Sequence, residues 1–136
     1  MKMDNDSFIY LTTNQVITIN TFQIKLYSPQ EQVGVKEPGL LDSALNRPKQ
    51  SLFGDDAYPA IYEKSAALVE SLAMNHSFFN GNKRTALASL IIFLRLNNFK
   101  WTMDVEKEQD FIVDIVNHVY TFPQIVSVIE SNTKKI

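Results

Sequence analysis

The chain has 136 residues, 45% of them apolar and 21% charged, which suits one folded domain spanning residues 1–136 around one core. A net charge of −2 argues against a general nucleic-acid binder. The absence of cysteine excludes disulfides and thiolate metal sites and fits a reducing, cytoplasmic setting. The amino-terminal segment lacks the order of a signal peptide. The longest apolar run, Ala86 to Leu94 with Ser89 inside, is too short to span a bilayer, so no membrane association is expected.

In chain order, Ser7 to Leu11 reads as a short strand. From Thr12 to Tyr27 two patterns compete. Ile17, Ile19, Phe22, Ile24 and Leu26 partly alternate, as in a strand. Thr12 or Thr13 as N-cap, followed by Val16, Ile19 and Asn20, reads as a helix. Pro29, Gly34, Pro38 and Gly39 make Ser28 to Gly39 mostly loop. A short helix is expected from Leu40 to Asn46, closed by Pro48. Ser51 to Pro59 is a second loop with its tip at Gly54-Asp55-Asp56.

Ala60 to Asn75 is the clearest amphipathic helix, with Ile61, Tyr62, Ser65, Ala66, Leu68, Val69, Leu72 and Ala73 on one face. Continuing that phase puts His76 on the same inward face. The next helix starts at Asn82 or Lys83, runs to about Asn97 and is apolar nearly all round, as expected of the buried centre. Phe99 to Met103 reads as a short extended segment. Glu106 to Val119 and Phe122 to Asn132 read as two more helices, the last with Pro123 in its first turn. The sum is a mainly α bundle around a central helix, with at most short strands.

The chemistry concentrates in His76-Ser77-Phe78-Phe79-Asn80-Gly81-Asn82-Lys83-Arg84-Thr85. A helix amino terminus leaves backbone N–H groups without partners and carries partial positive charge, so it favours phosphate. Gly81 lets the backbone approach a ligand. Asn82 is expected to add side-chain donors, Lys83 a mobile charge and Arg84 a planar fork for phosphate oxygens. Cations at a helix start are unfavourable unless an anion binds there. Phe78 is expected to point into the core and pin the loop. His76 then faces the cleft as a general base for an incoming hydroxyl.

His76, Phe78, Gly81, Asn82 and Arg84 resemble the signature of the Fic/Doc family. Lys83-Arg84 is similar to the Doc branch, where AMP-transferring Fic enzymes usually have glycine followed by arginine. The run from Gly34 to Pro48 and the pair Tyr58-Pro59 also look Doc-like, so the resemblance extends from about Tyr10 to Thr121. It implies helix over Thr12 to Tyr27 and a Fic/Doc-type helical bundle. It also implies the toxin half of a toxin–antitoxin pair, with an antitoxin as protein partner. The expected reaction moves a phosphoryl group from ATP to a protein hydroxyl, by resemblance on elongation factor Tu or another translation factor. The alternative is AMP transfer at the same site. His76 would be the base, Lys83 and Arg84 would assist catalysis, and Gly81, Asn82, Lys83 and Arg84 would hold the phosphates. Position 80 would help bind Mg²⁺.

Asn80 departs from the pattern, because the family usually has a carboxylate there and a neutral amide is a weaker Mg²⁺ ligand. The metal is then held mainly by the triphosphate, or the activity is lost or altered, or the residue was substituted to spare the host. The third functional reading, a catalytically impaired binding protein, rests on this residue. Elsewhere the plain readings are preferred: His118 as a surface or structural residue, Phe99 and Trp101 as core cover, and Lys36, Arg47 and Lys49 as a solvated face. For Gln50 to Pro59, a connector and a target-holding flap are equally supported.

Overall fold

The computed structural model describes residues 8–136, so Ser7 lies outside it. Six α-helices dominate: α1 Thr13–Tyr27, α2 Pro38–Asn46, α3 Ile61–Met74, α4 Asn82–Leu96, α5 Val105–Val116 and α6 Phe122–Ser131. The strands are short. β1 Ser51–Leu52 pairs with β2 Asp55–Asp56, and β3 Phe99–Trp101 pairs antiparallel with β4 Thr133–Lys135. The mainly α architecture is as expected.

The ambiguous first segment is a helix because its start is capped on both sides. Thr12 Oγ1 accepts from the Gln15 N–H at 3.2 Å, and Gln15 Oε1 accepts from the Thr12 N–H at 2.8 Å. Its buried stripe is Val16, Asn20 and Ile24, spaced four apart. The strand expected at Ser7 to Leu11 does not form among the described residues. The backbone of Ile9 is instead paired by one side chain: Asn97 Oδ1 accepts from its N–H at 2.8 Å, and Asn97 Nδ2 donates to its carbonyl at 2.9 Å.

The second loop is a tight hairpin, and its tip is Phe53-Gly54 rather than Gly54-Asp55-Asp56. Both tip residues have positive φ, 53° and 85°, as a two-residue turn between twisted strands requires. Helix α5 begins at Val105 and ends at Val116, three residues short of the expected Val119. The strand β4 carried no sequence signal and is defined by its pairing with Phe99–Trp101.

Helices α3 and α4 share the centre. Helix α3 is the more completely buried, with even Lys64 and Ser65 sealed from solvent. Helix α4 buries Thr85, Ala86, Ser89, Leu90, Phe93 and Leu94, while Ile92 on its other side is exposed. One apolar cluster joins all six helices, from Leu11 and Val16 to Ile125 and Ile129. No described helix is long and apolar enough to cross a membrane.

Candidate functional site

Helix α3 stops at Met74, and the chain turns out of it through Asn75 as C-cap. His76 follows in the left-handed region at φ 52°. The helical phase therefore does not carry into His76. The expectation that phase points it inward is corrected: the residue is exposed, and the turn rather than the helix face brings it to the cleft. Ser77 and Phe78 are buried, and Phe78 pairs across an isolated antiparallel bridge with Val35. Backbone bonds from Lys36 and Glu37 to the Ser77 carbonyl, and from Phe79 to the Gly34 carbonyl, zip residues 34–37 against the motif.

Gly81 is the N-cap of α4 at φ 74°, ψ 20°. A Cβ there would lie 2.8 Å from Ile24 Cδ1 and 3.4 Å from Asn20 Nδ2, so both backbone conformation and space demand glycine. The Thr85 N–H makes the first intrahelical bond, to the Gly81 carbonyl at 2.8 Å. The helix start has no side-chain cap, leaving its first-turn amides available to a ligand.

The Asn82 side chain has a structural task within the motif. Its Oδ1 accepts from the Phe78 N–H at 3.0 Å and its Nδ2 donates to the Phe78 carbonyl at 3.0 Å. The amide thereby closes the loop, and its second Nδ2 hydrogen and backbone N–H remain for a ligand in the cavity that Asn82 lines. Asn80 is likewise a brace: its Nδ2 donates to the Gln32 carbonyl at 3.0 Å.

Lys83 is exposed at the helix start. Arg84 is held by the end of α1 and the loop after it. Its Nη2 donates to Ser28 Oγ at 2.8 Å and lies 4.0 Å from Glu31 Oε1, and its guanidinium sits 5.7 Å from the Tyr27 ring centre. Its Nε is buried without an acceptor. An unpaired buried donor is costly, and an anion at this site would relieve it.

These residues line one cavity of about 590 Å³, within the roughly 300–1,000 Å³ of small-molecule sites. His76, Phe79, Asn80, Gly81, Asn82, Lys83 and Arg84 form one side with Glu31. Leu87 and α5 complete the lining, with apolar Val105, Ile112, Val113 and Val116 and polar Glu108 and Gln109. The donors and the orphaned Nε fit a polyphosphate. Position 80 offers Mg²⁺ a neutral amide oxygen, and no group of three His, Asp, Glu or Cys residues gathers among the described residues.

The other sequence candidates are not among the residues lining this cavity. Trp101 Nε1 donates to Glu108 Oε2 at 2.9 Å, and Phe99 packs edge-on against Tyr62. His118 is exposed just beyond the end of α5. Lys36 is exposed, and Lys49 sits over the Tyr10 ring. Arg47 is not on a solvated face. It bonds Tyr58, Glu70 and Ser71, and its guanidinium lies against the paired rings of Tyr58 and Phe122. Burial disfavours its charge, yet the bonds to Tyr58 and Glu70 prevail and raise its pKa above the usual arginine value.

The sequence reading missed Asn20, Ser28, Glu31 and the α5 wall. Only Asn20 had a legible signal: it is the polar member of the buried stripe Val16, Asn20, Ile24.

Residues 10–94 match the family model described as "Fic/DOC family". The chain is 41% identical over 90 residues to "Toxin Doc" of Mycolicibacterium smegmatis, covering 66% of this chain and 68% of that protein. It is 28% identical over 88 residues to "Protein kinase doc" of Escherichia phage P1, covering 65% of this chain and 68% of that protein.

Proposed function

The chain belongs to the Fic/Doc family, and from that premise we propose that it is a Doc-type toxin that transfers the γ-phosphoryl group of a nucleoside triphosphate to a hydroxyl of a protein. The observation that carries this reading is the shared cavity. A histidine, an uncapped helix start and a cationic pair line it together, and the arginine of that pair holds a buried donor without an acceptor. The name of the phage relative, a protein kinase, supports the same direction.

In this reading the phosphates lie on the N–H groups of Gly81 to Arg84, with Lys83 and Arg84 neutralising charge as it shifts toward the leaving oxygen. The apolar residues of α5 that line the cavity, Val105, Ile112, Val113 and Val116, take the nucleoside. His76 accepts the proton of the target hydroxyl as its oxygen bonds to the γ-phosphorus, while the bond to the β-bridging oxygen breaks and the nucleoside diphosphate leaves. Mg²⁺ would accompany the triphosphate as counter-ion, and Asn80 would offer it a neutral amide oxygen. The target is a translation factor, by resemblance elongation factor Tu, and an antitoxin is the partner that blocks the cleft.

The test is incubation with translation factors and ATP labelled at the α or the γ phosphate. Transfer of γ label, lowered at least about 10²-fold in His76→Ala, is the expected result. Transfer of α label means AMP transfer instead, and no transfer of either label leaves a binding protein.

A further inference from the structure

Asn20 sits in the middle of α1 with 1% of its surface exposed. A buried amide in a helix interior needs partners, and this one finds them outside its own helix. Its Nδ2 donates to the Asn80 carbonyl at 2.9 Å and to Thr85 Oγ1 at 3.0 Å. Those two acceptors flank the start of α4: Asn80 precedes the N-cap Gly81, and Thr85 closes the first helical bond onto the Gly81 carbonyl. Thr85 is itself sealed from solvent.

We infer that Asn20 is a positioning residue for the polyphosphate site, holding the Asn80–Gly81 peptide so that the Gly81 N–H is presented to the ligand. This rests on the nucleotide reading above. The peptide unit is planar and trans, so its C=O and N–H point in opposite directions. Drawing the Asn80 carbonyl toward α1 aims the Gly81 N–H away from α1, on the side of the cavity that Gly81 lines. Left-handed Gly81 is the most pliable residue of the turn, and no Cβ restrains it. The restraint comes from outside, from Asn20 on one side and Ile24 packed behind. Asn20 touches no reacting atom in this scheme. It acts through the peptide it holds, and preorganised donors contribute most when they need no rearrangement on binding.

Two variants of the full chain test this. Asn20→Leu keeps the shape of the side chain and deletes both bonds. Val16→Ala weakens the packing of the same helix stripe without touching the turn. Affinity for Mg·ATP and for inorganic triphosphate is measured by calorimetry, alongside amide exchange of Gly81 in the free protein. Asn20→Leu is expected to bind both ligands at least about tenfold more weakly and to exchange Gly81 faster. Val16→Ala is expected to lose thermal stability with affinity unchanged. Wild type that binds neither ligand overturns both this inference and the proposed function. Wild type that binds, with Asn20→Leu binding equally well or Val16→Ala weakened as much, overturns this inference alone. If Asn20→Leu fails to fold, Asn20→Ser, which retains one donor, is expected to give an intermediate affinity; wild-type affinity in it also overturns the inference.

Discussion

Asn80 works in the folded chain as a hydrogen-bond donor. Its Nδ2 ties the motif to the Gln32 carbonyl, while its own carbonyl receives Asn20. A carboxylate has no hydrogen to donate and would face the Gln32 oxygen. Asn80→Asp is therefore expected to lower the stability of the ligand-free protein by about 0.5–1 kcal/mol, read as a fall in the urea midpoint. An unchanged midpoint would mean that this bond contributes nothing. His76 shows a second residue-scale effect. Helices α3, α4 and α5 all end in asparagine followed by a left-handed residue, namely His76, Asn98 and His118. Local turn chemistry thus decides where His76 faces, and apolar periodicity, which is blind to such turns, pointed it the wrong way.

At the scale of elements, the hairpin β1–β2 is anchored by a lysine. Lys64 of α3 has a fully buried side chain, donates to the Pro48 carbonyl at 3.0 Å and pairs with Asp56 Oδ2 at 3.2 Å. The Phe8 and Tyr10 rings lie 5.2 and 5.6 Å from its ammonium. The two halves of the pair are unequal, since Asp56 keeps 21% of its side chain in water. Deleting Asp56 strands a buried charge, whereas deleting the lysine leaves a carboxylate that water can reach. Asp56→Ala is expected to cost about 2–4 kcal/mol and Lys64→Met about 1 kcal/mol, compared by denaturant unfolding. Equal costs, or the reverse order, would refute the anchor. Helices α2, α3 and α4 were legible within a residue or two because they bury continuous stripes, whereas α5 ends three residues early and α1 was ambiguous by pattern. Of the strands, β3 was legible as an extended segment from Phe99, whereas β1, β2 and β4 were not, because two- and three-residue strands exist only through their partners.

At the scale of the molecule, the family match ends at residue 94, yet the core does not. Phe111, Ile112 and Ile115 of α5 and Ile125 and Ile129 of α6 are buried in the same cluster as Val69, Leu72 and Phe93. Helix α5 lines the cavity as well. A chain ending at residue 104 is thus expected to lose fixed tertiary packing and nucleotide affinity together, seen as loss of near-ultraviolet circular dichroism with dye-binding apolar surface exposed. Retention of native near-ultraviolet signal would show that the matched region folds alone.

By itself the sequence determined the helical class, the cation-flanked glycine turn at the start of α4 and the family of the chain. All of these are written in local spacing, in the residues the motif uses and in the backbone freedom of Gly81. Tertiary structure alone decided how the polar side chains are spent. Asn82 and Asn80 went to backbone carbonyls and amides, Arg84 to Ser28 and Glu31, and Asn20 to the turn across from it. A hydrogen bond depends on which groups meet in space with their donors and acceptors aligned. The partners here lie as much as 65 residues apart in the chain, beyond the reach of any local pattern.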